Sequence, residues 1–251
     1  MTDLRWLTAR PVAHRGLHDS ERGGTIVENT IAAADAAAKA NYGIECDIQL
    51  TADEEVVVFH DDMLDRLTAG KGLVRERALH ALRDVPFRIP SAGPVPTLRE
   101  FLDCIAGRVP VVIELKSRWD GSTRLAERTV EILKDYSGPA AVMSFDPWLV
   151  RAMRLLAPDI ARGIVAERYY RDPDWAGLKP RQKFALGNLT HVTQSRPQFI
   201  AYSIKDLPAL APLFARYVLG MPLLAWTVRT EADRSSARRW ANQMIFEGFR
   251  P

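Results

Sequence analysis

Five short polar islands carry the side chains of this sequence that can do chemistry. They are His14-Arg15, Glu28-Asn29, Glu45-Cys46-Asp47, His60-Asp61 and Glu114-Leu115-Lys116. Each lies at or beside an apolar, strand-like run. A Glu, Asp, His or Lys placed at such a strand end costs free energy unless it is paired or binds something. Two histidines with three strand carboxylates suit a hard cation plus an acid and a base acting on a phosphate.

Glu45 and Asp47 stand two apart, so in a strand they project to one side. Like charges repel there, and a divalent cation relieves the repulsion. Carboxylate oxygens suit Mg²⁺, Ca²⁺ or Mn²⁺. Val112, Glu114 and Lys116 share one face of a further strand. Glu114 is therefore a third candidate ligand, and Lys116 a cation beside it for an anionic substrate. Gly16 permits a tight turn after the first island. Arg15 offers a planar fork for phosphate oxygens, and His14 can serve as acid or base near neutral pH. His60 ends another apolar run, with Asp61 next to it.

Taken singly, each island has a plain structural reading: an exposed acidic pair, an internal Glu-Lys ion pair, a strand-end histidine. Their order and same-face spacing make them one candidate site. His18, His80 and His191 lack such context and read as surface or structural residues. There is no zinc-type Cys/His spacing and no G-x-S-x-G elbow.

The elements that must position these groups are short apolar runs alternating with helical stretches. Candidate strands are 11–14, 44–49, 111–115, 140–144, 161–165, 199–203, 223–228 and 243–246. Thr97-Leu98-Arg99-Glu100 is a capping box opening a helix to Ile105. Asp146-Pro147 is an N-cap with Pro at the first helical position. Helices are also expected at 30–40, 122–136, 206–217 and 231–241. Eight strands in strand-helix alternation predict an α/β fold with a parallel sheet, and eight is the number that closes a (β/α)8 barrel of this size. No Gly-x-Gly-x-x-Gly turn favours an open doubly wound sheet instead.

The 251 residues, 47% of them hydrophobic, contain nothing resembling a linker, so 1–251 reads as a single barrel domain with an insertion over about 50–96. Residues 50–60 read as a hairpin extending the second strand. Residues 61–96, rich in Gly and Pro, read as a roof over the pocket. Phe87 and Ile89 would either give that roof an apolar side for an acyl group or simply pack it on the barrel rim. Residues 166–197, with Tyr169, Tyr170 and Trp175, read as a second long connection.

The net charge is +3, with no dominant Lys/Arg cluster. Arg238-Arg239 reads as a solvated helix face rather than a nucleic-acid patch. The excess positive charge suits anionic substrates or an anionic lipid surface. Cys46, between two inward carboxylates, should point outward under the helices. Cys104 lies on an apolar helix, and the pair reads as reduced, which fits a cytoplasmic protein. Residues 1–10 lack the apolar core of a signal peptide. No apolar run approaches the roughly 20 residues of a membrane span.

The ordered set His14-Arg15-Gly16, Glu28-Asn29-Thr30, Glu45-x-Asp47 and His60-Asp61 resembles the glycerophosphodiester phosphodiesterase family. So do Leu64-Asp65-Arg66-Leu67-Thr68 with Gly72, Ile113-Glu114-Leu115-Lys116, Ser144-Phe145-Asp146 and Ala225-Trp226-Thr227-Val228. The resemblance implies a TIM barrel with a small insertion after the second strand. It also implies metal-dependent hydrolysis of glycerophosphodiesters to glycerol 3-phosphate and an alcohol. By motif, Glu45, Asp47 and Glu114 resemble the ligands of a divalent metal such as Mg²⁺ or Ca²⁺, and His14 and His60 the acid/base pair. Arg15 and Lys116 resemble phosphate contacts, Glu28 and Asn29 supporting substrate-site residues, and Trp226 an aromatic wall. The expected partner is a small phosphodiester, not nucleic acid. Three departures stand out: Val27 in place of Pro before Glu28, Asp53-Glu54 in place of an Asp-Gly turn, and the ending Met244-Ile245-Phe246-Glu247-Gly248-Phe249.

Other readings start from the same residues. A lysophospholipase D or a phosphodiesterase that stops at a cyclic phosphate would use the same site. A non-catalytic phospholigand-binding barrel would not need two strand-end histidines with three carboxylates. A Schiff-base aldolase barrel would have only Lys116 to offer.

Overall fold

The computed structural model describes residues 3–168 and 175–251, so Tyr169 and Tyr170 lie outside the described residues. The strands are β1 Val12–Ala13, β2 Gly43–Leu50, β3 Val56–Val58, β4 Val111–Leu115, β5 Ala140–Ser144, β6 Ala161–Ala166, β7 Phe199–Ser203, β8 Leu223–Val228 and β9 Gln243–Phe246. The helices are α1 Arg5–Thr8, α2 Ile31–Lys39, α3 Leu79–Arg83, α4 Leu98–Ile105, α5 Arg124–Leu133, α6 Pro147–Leu156, α7 Pro180–Gly187, α8 Val192–Ser195, α9 Leu210–Tyr217 and α10 Glu231–Trp240.

All strands but β3 run parallel, and β1 closes the ring by pairing with both β9 and β2. The result is an eight-stranded TIM barrel. β3 lies outside it, antiparallel to β2, with Ile48 opposite Val58 and Leu50 opposite Val56. That is the expected hairpin.

Alternation along each strand builds two cores. One set, including Val12, Val112, Met143, Val165, Phe199, Leu224 and Ile245, fills the barrel interior, with Leu7 of α1 joining it. The other set, including Ile44, Cys46, Ile48, Ile113, Val142, Ile200 and Phe246, packs under the helices. Cys46 therefore faces outward as its neighbours require. Gly163 makes room in the interior, since a Cβ there would sit 2.3 Å from the Phe199 ring.

Local signals behave as read. Thr97 Oγ1 accepts from the Glu100 amide and Glu100 accepts from the Thr97 amide. Asp146 accepts from the Trp148 amide ahead of Pro147. Two expectations shift. The helix expected at 206–217 begins at Leu210, because Leu207 precedes a proline, a position that disfavours helical backbone. Residues 166–197 are not merely a connection: they contain α7 and α8. α7 buries only Leu186 and Gly187, so it carries no apolar stripe to announce it.

The insertion has a core of its own, built from Val27, Val57, Phe59, Leu64, Val74, Leu82, Phe87 and Val95. Phe87 is 3% exposed, its ring 6.2 Å from that of Phe59. It packs the insertion and offers no surface to an acyl group.

Candidate active site

The barrel topology places the islands of β1, β2 and β4 side by side, while Glu28-Asn29 comes from the turn before α2 and His60-Asp61 from the segment just past β3. β2 lies between β1 and β4, and Asp47 is the register partner of Glu114. Glu45, Asp47 and Glu114 each offer an oxygen within 4.8 Å of the others, and all three are buried. This is the expected same-face carboxylate set.

Burial, together with the nearby Asp47 and Glu114 charges, pushes the Glu45 carboxyl well above its usual range. Glu45 accepts the Arg15 amide at 3.0 Å, and His14 Nε2 lies 4.0 Å from it. Asp47 is treated differently. Burial opposes its charge, but His60, Lys116 and Arg15 hold it well below the usual carboxylate range. Lys116 Nζ lies 3.1 Å from Glu114 and 3.4 Å from Asp47. Burial would lower the Lys116 ammonium, yet those carboxylates hold it above its ordinary value. Three crowded carboxylates, one of them driven toward its neutral form, are a donor set that fits a hard divalent cation.

Arg15 and Asn29 both adopt left-handed backbone, at φ 54 and φ 56. Asn tolerates this, while Arg pays a strain of roughly 1 kcal/mol. Gly16 follows, and a Cβ there would meet Ala33 of α2 at 2.8 Å. The turn after β1 is thus pressed against α2, and it aims Arg15 inward. The Arg15 guanidinium donates to Glu28 at 2.7 Å and places Nε 3.4 Å from Asp47. Asn29 donates to Asp47 at 2.9 Å and accepts the Asp47 amide at 3.3 Å. Asn29 is therefore the side chain that sets the Asp47 carboxylate.

Both histidines are anchored through Nδ1, leaving Nε2 for other partners. His60 Nδ1 lies 2.8 Å from Asp61. His14 Nδ1 meets Glu247 at 2.5 Å. Burial, helped by the Arg15 charge, pushes the His14 imidazole down to about 4 despite that carboxylate.

Sequence reasoning missed three supporting groups. Glu247, just past β9, holds His14 and is itself bound by Arg229 at 2.8 and 3.1 Å. Arg66, from the insertion, donates to Glu28 at 2.7 and 2.9 Å and to Asp61 at 2.6 and 2.9 Å. An unbroken chain of ion pairs thus runs Arg15–Glu28–Arg66–Asp61–His60. The available signal was Glu247 at the end of a strand that must neighbour β1 in a closed barrel. Trp226, two residues before the end of β8, has its ring edge-on to Phe145 at 5.5 Å, and Phe145 lies 4.7 Å from Trp175. These three aromatics stand together beside the barrel interior.

Residues 14–249 match the model of the Glycerophosphoryl diester phosphodiesterase family. The chain is 34% identical over 163 residues to a glycerophosphodiester phosphodiesterase of Caldanaerobacter subterraneus subsp. tengcongensis, covering 61% of this chain and 65% of that protein, a little under two thirds of its length. Against a glycerophosphodiester phosphodiesterase of Bacillus subtilis it is 25% identical, covering 95% of this chain and 83% of the relative. The fold is similar to that of an Oleispira antarctica phosphodiesterase solved with the product sn-glycerol-3-phosphate. The TM-score is 0.77 at 22% identity, over 96% of this chain and 94% of that one. The chain belongs to the glycerophosphoryl diester phosphodiesterase family of phosphoric diester hydrolases.

Proposed function

We propose that this chain hydrolyses glycerophosphodiesters to glycerol 3-phosphate and an alcohol. The observation that carries the reading is the convergence of Glu45, Asp47 and Glu114 within 4.8 Å, with His14 Nε2 at 4.0 Å from Glu45. Family membership supports it, as does the product named for the Oleispira antarctica structure.

In this reading Glu45, Asp47 and Glu114 hold Mg²⁺ or Ca²⁺. When bound, such a cation supplies positive charge against the phosphate oxygens. Arg15 and Lys116 face the same anion and stabilise charge growing on it. One histidine takes the proton from the attacking oxygen, which is either water or the substrate's own glycerol hydroxyl. The other returns a proton to the leaving alcohol. Each step uses the Nε2 that anchoring through Nδ1 leaves available. Assistance of this kind is worth about 10²–10⁴-fold. Glu28 and Asn29 act through Arg15 and Asp47 at the edge of the substrate site, and Trp226 with Phe145 forms its aromatic wall.

The test is product identity. Phosphorus NMR of a glycerophosphocholine digest should show glycerol 3-phosphate. Accumulation of a cyclic phosphate would replace hydrolysis with transesterification. Turnover confined to lysophospholipids would assign a lysophospholipase D.

A further inference from the structure

α9 turns its apolar side outward. Leu210, Phe214, Tyr217 and Val218 recur at i, i+4, i+7 and i+8, and they stand 91%, 56%, 62% and 64% exposed. Leu219 extends the stripe past the helix end. A surface helix ordinarily does the reverse, burying its stripe and exposing polar residues. Here the buried face is only Pro212 and Ala215. A continuous exposed apolar stripe of this kind marks an interaction surface.

The rim of the stripe is basic. Arg216 lies over the Tyr217 ring at 4.8 Å and reaches the Arg239 carbonyl at 3.5 Å, which brings the end of α10 alongside. There Arg239 lies over the Trp240 ring at 4.7 Å, next to Arg238. No Asp or Glu occurs in 207–230 or in 234–246. The flanking acids have other partners: Asp206 accepts the Arg168 amide, Asp233 pairs with Lys205, Glu231 lies 3.5 Å from Arg234, and Glu247 pairs with Arg229.

We propose that α9 and the C-terminal end of α10 form a docking face for an anionic lipid bilayer. A second copy of the chain fits poorly, because a two-fold contact through this face would bring Arg216, Arg238 and Arg239 of both copies into one interface, with no Asp or Glu in 207–230 or 234–246 to pair them. A layer of anionic headgroups supplies the missing negative charge. Arginine-covered aromatic rings beside aliphatic side chains suit the boundary between headgroups and acyl chains. α9 runs from Leu210, after the C-terminal end of β7, to Tyr217, ahead of the N-terminal end of β8, and Arg238 and Arg239 lie near the end of α10 ahead of β9. Docking would therefore lay the flank of the barrel, rather than its C-terminal mouth, against the lipid surface.

Vesicle co-sedimentation of the full chain tests this. The chain should pellet with vesicles of mixed phosphatidylcholine and phosphatidylglycerol, stay in solution with phosphatidylcholine alone, and be released by about 0.5 M salt. The double variants Leu210→Ser/Phe214→Ser and Arg238→Ser/Arg239→Ser should each bind at least about tenfold more weakly. Both should keep the parent's melting temperature within a few degrees and its turnover of soluble substrate. Chain remaining in solution with anionic vesicles at low salt would overturn the proposal. Variants that bind as the parent does would also overturn it. A dimer seen by light scattering and dissolved by Phe214→Ser would assign the face to a second copy instead.

Discussion

Glu247, at the end of the last strand, meets Nδ1 of His14, at the end of the first, at 2.5 Å. The contact spans 233 positions of sequence and exists only because the barrel closes. It fixes the ring and leaves Nε2 toward Glu45. Glu247→Gln keeps the shape but removes the charge that orients and supports a protonated imidazole. It should lower kcat by about 10- to 100-fold with KM changed much less. Steady-state kinetics over a pH series will check this, since a purely structural role would shift melting without moving the pH profile.

Replacing His14 or His60 with Ala should each reduce turnover by at least about 10²-fold. Circular dichroism should show the fold intact. Both rings keep some contact with solvent, at 12% and 25% side-chain exposure. Full activity in either purified variant would remove that histidine from the acid/base pair.

Glu45→Gln separates metal binding from folding. Its charge is disfavoured by burial and by Asp47 and Glu114 beside it. In EDTA the variant should therefore melt at or above the parent's temperature. Added Mg²⁺ or Ca²⁺ should raise the parent's melting temperature by several degrees, as a ligand near 100-fold its Kd contributes about 2.7 kcal/mol. The variant should show no such rise in a calorimetric or fluorescence melt.

His191 gives a pH dependence away from the site. Burial pushes its imidazole down to about 4 from 6.5. Below pH 6.5 the unfolded chain takes up a proton that the folded chain refuses until about pH 4. Stability from this group is therefore complete above pH 6.5, falls as pH drops through that window, and is lost below it. The difference should be on the order of 1–2 kcal/mol, less than the full shift implies because the ring is partly exposed. Urea titrations of the parent and of His191→Gln between pH 7 and 4.5 should converge as the pH falls.

Much of this molecule was legible in its sequence because local rules and tertiary structure agree. Strand runs, the 50–60 hairpin and the Thr97 and Asp146 caps follow from alternation and capping chemistry alone. Glu45, Asp47 and Glu114 could be grouped because two-residue spacing sets their face and adjacent strands set their neighbours. Glu247, Arg229 and Arg66 were harder to read, with only the strand-end place of Glu247 as a signal. They matter through ring closure and through an insertion whose path over the barrel no spacing rule predicts. Whether Phe87 faced an acyl group or packed the insertion stayed open in the sequence, because composition does not reveal that the insertion has a core of its own. α7 was missed because it buries so little that it leaves no periodic stripe.

The most direct measurement is turnover of glycerophosphocholine by the purified chain, followed as glycerol 3-phosphate released, in EDTA and after Mg²⁺ or Ca²⁺ is restored. Release should vanish in EDTA, return with the cation, and fail to return for Glu45→Gln or Asp47→Asn. Undiminished release in EDTA, or restored release in those variants, would contradict a metal-dependent site at Glu45, Asp47 and Glu114.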